Sequence, residues 1–95
     1  MSLGATSFRI SQQTSYISDL EYAINQIAQK QMQLTYQAQA AEQTDPQAAE
    51  FFQMQSKQLE LEMKSLDTQM KVASAEMDGL KKMQEDGVKR GTYLA

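Results

Sequence analysis

Ala41-Glu42-Gln43-Thr44-Asp45-Pro46-Gln47-Ala48-Ala49 is the stretch on which the fold turns. Pro46 is the only proline in 95 residues, and the glycines stand at 4, 79, 87 and 91. No glycine or proline therefore interrupts the run from Ala5 to Asp45 or the run from Gln47 to Asp78. Such runs leave no room for the closely spaced turns of a small β-fold. They are dominated by Gln, Met, Ala, Leu, Glu and Lys, all good helix formers. Asp45 can cap a helix N-terminus with its carboxylate. Pro46 suits the first helical position, where its missing N–H would have no intrahelical partner. The expected fold is all-α: an antiparallel two-helix hairpin, coiled-coil-like, that assembles with other copies. Its turn is Thr44-Asp45-Pro46, because a connection this short joins neighbouring antiparallel helices.

Outward from the turn, helix one is expected over about residues 8–43 and helix two over about 46–86. Residues 1–7 are read as a flexible tail. Ser7, Ser11, Thr14, Ser15 and Ser18 are the candidate caps of helix one, with Ser18 and Glu21 at capping-box spacing. Gly87 is expected as a left-handed C-cap, with Lys81, Lys82, Lys89 and Arg90 favouring the negative end of the helix dipole. Residues 91–95 are read as a loose tail, so that one domain spans about 8–90.

Both arms repeat an apolar position at alternating steps of three and four residues. In helix one the seam is Ile10, Gln13, Ile17, Leu20, Ile24, Ile27, Gln31, Leu34, Ala38 and Ala41. In helix two it is Ala49, Phe52, Ser56, Leu59, Met63, Leu66, Met70, Ala73, Met77 and Leu80. This heptad spacing keeps a narrow stripe facing a partner helix. The hairpin core is therefore assigned to Ile17, Leu20, Ile24, Ile27, Leu34, Phe52, Leu59, Met63, Leu66, Met70, Met77 and Leu80. Antiparallel arms bring Ile24 to the region of Met63 to Leu66. Small residues at Ala38, Ala41 and Ala49 let the backbones approach beside the turn.

A second pattern lies across helix two from the seam. Phe51, Met54, Gln58, Leu61, Ser65, Thr68, Val72, Ala75 and Gly79 repeat the same steps, and none is charged. From Glu50 to Asp78 every charge falls in two flanking lanes: Glu50, Lys57, Lys64, Lys71 and Asp78 on one side, Glu60, Glu62, Asp67 and Glu76 on the other. Helix one shows Tyr22, Asn25, Gln29, Met32, Tyr36 and Gln39 on its outer face, and from Tyr22 to Ala41 its only charge is Lys30. A helix that packs only within a hairpin spreads charge over its whole outer face. Tyr22, Met32, Tyr36, Phe51, Met54, Leu61 and Val72 are accordingly assigned to an assembly interface. The plainer alternative is a Gln-rich helix that is simply exposed.

The chain carries no Cys, His or Trp. That excludes a disulfide framework and a thiolate metal site, and removes the commonest general base. Methionines at 63, 70 and 77 are seven residues apart and read as core filler rather than a soft-metal site. Glu60 with Glu62 and Glu85 with Asp86 point in different directions on a helix, so neither pair converges. No phosphate loop or nucleophile elbow is present. The expectation is a non-enzyme with no cofactor and no metal. A net charge of −3 with scattered basic residues does not form a nucleic-acid-binding stripe. The N-terminal Met1-Ser2-Leu3-Gly4-Ala5-Thr6-Ser7 has no apolar h-region, and no stretch approaches the length of a membrane span. The expected location is extracellular or at the cell surface by a route that does not use a Sec signal, and otherwise cytoplasmic.

The segment Asp45-Pro46-Gln47-Ala48-Ala49-Glu50-Phe51-Phe52-Gln53-Met54-Gln55-Ser56-Lys57 resembles the turn and the entry to the second helix of type III secretion needle subunits. Those are small Cys-free helical hairpins in which a Pro-containing turn precedes a Gln- and Ala-rich stretch. The resemblance implies a structural subunit that polymerises with copies of itself and is exported without a cleavable signal. The C-terminal Arg of those subunits is not matched, since Arg90 is followed by Gly91-Thr92-Tyr93-Leu94-Ala95. The Trp-x-Gly turn of small ESX-type hairpins is likewise replaced by Thr44-Asp45-Pro46. The expected function is a subunit of a filament or tube. The alternative is a soluble adaptor or chaperone-like hairpin that pairs with a different helical protein or closes as a four-helix homodimer.

Overall fold

Ser2 starts the first helix. Its hydroxyl oxygen accepts the Ala5 amide at 3.1 Å and its carbonyl accepts the Thr6 amide at 3.0 Å, which satisfies two of the orphan donors of a helix N-terminus. The structure is a computed structural model that describes the backbone of residues 2–94 and the side chains of residues 2–91. Over those residues the chain is all-α: helix α1 spans Leu3–Ala41 and helix α2 spans Pro46–Leu94, with no strand. The helical hairpin read from the sequence is the fold found.

The turn is built as its residues dictate. The amides of Thr44 and Asp45 both donate to the Ala41 carbonyl, at 3.1 and 2.7 Å, which closes the last turn of α1. Asp45 precedes proline, and the proline ring disfavours helical backbone at the residue before it, so α1 cannot continue. Asp45 then caps α2: its Oδ1 accepts the Ala48 amide at 3.2 Å and its carbonyl accepts the Ala49 amide at 3.0 Å. Such a cap contributes about 1 kcal/mol.

Both helices are longer than the punctuation of the sequence implies. Helix α1 begins at Leu3, not near residue 8, and Ser2 is its cap rather than any of the later serines. Helix α2 runs past residue 86 to Leu94. Gly87 is not a C-cap, because no described glycine has a positive φ. It is a packing position. A Cβ at residue 87 would lie 2.7 Å from Cδ2 of Leu3, so the missing side chain makes the seat into which Leu3 fits. The seam spacing run outward finds both ends: Leu3 and Thr6 precede Ile10, and Gln84 and Gly87 follow Leu80. Thr6 is 2% exposed, and its hydroxyl donates to the Ser2 carbonyl at 2.9 Å, so the buried polar group is satisfied. The extreme residues of both tails, Met1 and Ala95, lie outside the described residues.

The chain divides into two compact units, one of residues 1–20 with 69–95 and one of residues 21–68. In the first, Leu20, Ala73, Met77 and Leu80 are buried, while Ile10, Gln13, Ile17 and Met70 are half-buried. Polar contacts set the antiparallel register here. The Gln13 amide donates to the Ala73 carbonyl at 2.8 Å and to Glu76 Oε2 at 3.2 Å. The Tyr16 hydroxyl meets Gln69 Oε1 at 3.3 Å, and the Gln84 amide meets the Ser7 hydroxyl at 3.0 Å.

In the second unit the buried residues are the alanines beside the turn, Ala38 and Ala49. The large seam side chains Ile24, Ile27, Leu34, Phe52, Leu59, Met63 and Leu66 are all half-buried. Lys30 and Leu34 line one groove with Gln55, Leu59 and Glu62, as antiparallel arms require. Every seam residue assigned from the sequence, in either unit, is thus buried or half-buried.

Gly79 contrasts with Gly87. A Cβ at residue 79 meets nothing within 4 Å. Gly79→Ala is therefore expected to raise the stability of the isolated hairpin by up to ~1 kcal/mol through helix propensity alone. Thermal unfolding followed by circular dichroism checks it, and a lower midpoint would contradict an open surface at this position.

Candidate assembly surface

The helix dihedrals and the seam together decide what remains outside. With the seam stripe turned to the other helix, residues offset by half a turn must face away. In the 21–68 unit these are Tyr22, Met32 and Tyr36 on α1 and Phe51, Met54 and Leu61 on α2, each between 56 and 68% exposed. In the other unit Val72 is 54% exposed. All seven residues assigned to the interface from the sequence lie on solvent-facing surface. The uncharged positions between them, Asn25, Gln29, Gln39, Gln58, Ser65 and Thr68, are exposed as well.

Local chemistry makes these faces less polar than their composition suggests. The Thr68 hydroxyl donates to the Lys64 carbonyl of its own helix at 3.0 Å, which leaves its methyl group outward. Thr35 does the same to Gln31 at 2.9 Å. Phe51 meets Phe52 edge to face, with ring centroids 6.0 Å apart and planes at 60°. The exposed ring of Phe51 is thereby held against a half-buried seam residue.

Beside the turn, Leu34, Ala38 and Phe52 line an open groove of about 430 Å³ whose rim includes Gln39, Glu42, Gln53 and Lys57. A smaller groove of about 280 Å³ lies along Lys30, Gln33, Leu34, Gln55, Gln58, Leu59 and Glu62. Both have walls of apolar stems and amides, with one acidic and one basic side chain each: Glu42 and Lys57 in the first, Glu62 and Lys30 in the second. Amides both donate and accept, so they adapt to a polypeptide surface. Among the described residues no group of three or more His, Cys, Asp or Glu is placed to hold a metal, and no helix is long and apolar enough to cross a membrane.

The outer face of α1 extends beyond Tyr22 toward the N-terminus. The same steps run backward give Ser18, Ser15, Ser11 and Phe8, all exposed and uncharged, with Phe8 at 63%. These positions lie within the helix expected from the sequence, so the spacing alone extends the face to Phe8. Met83 and Val88 are further exposed apolar side chains, in the first unit, that the seam and stripe patterns do not predict. Comparison with known proteins finds no matching family model, no similar curated protein and no similar solved structure, so these surfaces stand on their own chemistry.

Proposed function

We propose that this chain is a structural subunit that assembles with copies of itself, through uncharged outer faces on both helices, into a filament or tube. The supporting observation is the exposed, charge-free row of Phe51, Met54 and Leu61 on α2 with Tyr22, Met32 and Tyr36 on α1, in a unit whose large seam side chains are only half-buried. A solvated surface of this size normally carries Lys and Glu. Two helices bury one stripe each, and these faces supply the burial that the seam leaves undone. The faces are dissimilar: the α1 face carries Tyr22, Tyr36 and amides, and the α2 face carries Phe51, Leu61 and small hydroxyl residues, with one Met on each. Contacts between dissimilar faces do not close on themselves and so generate filaments, whereas a closed dimer needs one self-complementary face. The likeness of residues 45–57 to needle subunits points the same way, to a needle-like assembly exported without a Sec signal.

Sedimentation of the full chain over a concentration series, with negative-stain microscopy of the pelleted material, tests this. Open-ended polymers above a critical concentration are the expected result. A wild type that stays monomeric at high concentration overturns the proposal and puts the adaptor with a different helical partner in front. A discrete dimer replaces it with the closed four-helix bundle.

A further inference from the structure

The two units differ in charge as well as in burial. Between residues 31 and 57 the charged residues are Glu42, Asp45, Glu50 and Lys57, an acidic excess around the turn. Between residues 79 and 91 Lys81, Lys82, Lys89 and Arg90 outnumber Glu85 and Asp86, and one basic–acidic pair, Lys89 with Glu85 at 3.5 Å, lies within the helix. Each segment also exposes apolar side chains: Phe51 and Met54 at 56 and 65% in the first, Met83 and Val88 at 44 and 54% in the second.

We propose that the turn-proximal surface of residues 42–54 in one copy docks on the 81–90 segment of α2 in the next copy, with Phe51 and Met54 against Val88 and with Glu42 and Glu50 facing Lys81 and Lys82. This rests on the self-assembly reading and adds the orientation: copies associate unlike segment to unlike segment, all in one direction. Like-to-like pairing, turn surface on turn surface, sets acid against acid and is disfavoured by the same charges. Apolar contact supplies attraction and the charges select the partner surface. Because the two surfaces are different, each added copy presents a fresh one, which is the condition for an open polymer.

Charge reversal in two variants tests it. Glu42→Lys with Glu50→Lys makes the turn surface basic, and Lys81→Glu with Lys82→Glu makes the 81–90 segment acidic. All four side chains are exposed, and Asp45, the cap of α2, is left in place. Circular dichroism should show both variants folded. In low salt each alone should need at least about tenfold more protein to sediment than wild type, equivalent to ~1.4 kcal/mol. An equimolar mixture should sediment near the wild-type concentration, because each variant then meets a partner of opposite charge. A single chain with all four changes should also recover. At about 1 M salt, where the screening length falls to ~3 Å, the differences should shrink. Wild type that polymerises while both variants match it, or while the mixture fails to recover, overturns the orientation and leaves assembly standing. Wild type that never polymerises overturns the assembly reading itself.

Discussion

Leu61→Lys is expected to leave the helices intact and to stop copies from associating. Leu61 is 66% exposed and points away from the seam, so the hairpin loses no core contact and gains a soluble side chain. In an interface that excludes water the same ammonium must be desolvated without a partner, at a cost of several kcal/mol, which removes most of the affinity of a contact at micromolar strength. Tyr36→Glu, at 67% exposure on the outer face of α1, should act in the same way on the opposite surface. The measurement is sedimentation of wild type and variants at matched concentration, with circular dichroism as the control for folding. Variants that polymerise as wild type does would remove these faces from the assembly. A loss of helix equal to the loss of association would show that the residues belong to the core.

Leu20→Asp is expected to unfold the hairpin. Leu20 is 5% exposed, among the most buried large side chains described. Replacing it removes about 2–3 kcal/mol of apolar burial and leaves an uncompensated carboxylate in the seam. A further ~3–5 kcal/mol for that charge exceeds what a small hairpin can absorb. Leu66→Asp, at a half-buried seam position, should be damaging but less so, and Lys64→Asp, on the exposed flank of the same turns, should be mild. Helix content from circular dichroism in a denaturant series ranks the three. Equal losses at Leu20 and Lys64 would refute the seam assignment.

Most of the architecture was legible in the sequence because it depends on short-range chemistry. Asp45-Pro46 ends one helix and caps the next through atoms at most four residues apart. The three-and-four spacing selects a face by helix geometry alone, which is why Leu20, Met77 and Leu80 lie inside and Leu61 and Val72 outside. Tertiary packing decided the rest. Glycine read locally is a terminator, and Gly87 is one by propensity. Helix α2 nevertheless continues through it, and Cδ2 of Leu3 lies 2.7 Å from where a Cβ at residue 87 would stand. Helix α1 likewise starts earlier than expected, at Leu3, with Ser2 as its cap. Gln13 occupies an apolar register position, and only the neighbouring helix reveals why: its amide reaches the Ala73 carbonyl and the Glu76 carboxylate. The depth of burial was equally invisible, since spacing gives the direction of a side chain but not how much of the facing helix covers it. Seams that look alike in sequence bury Leu20, Met77 and Leu80 in one unit and leave Ile24, Leu34 and Leu66 half-covered in the other.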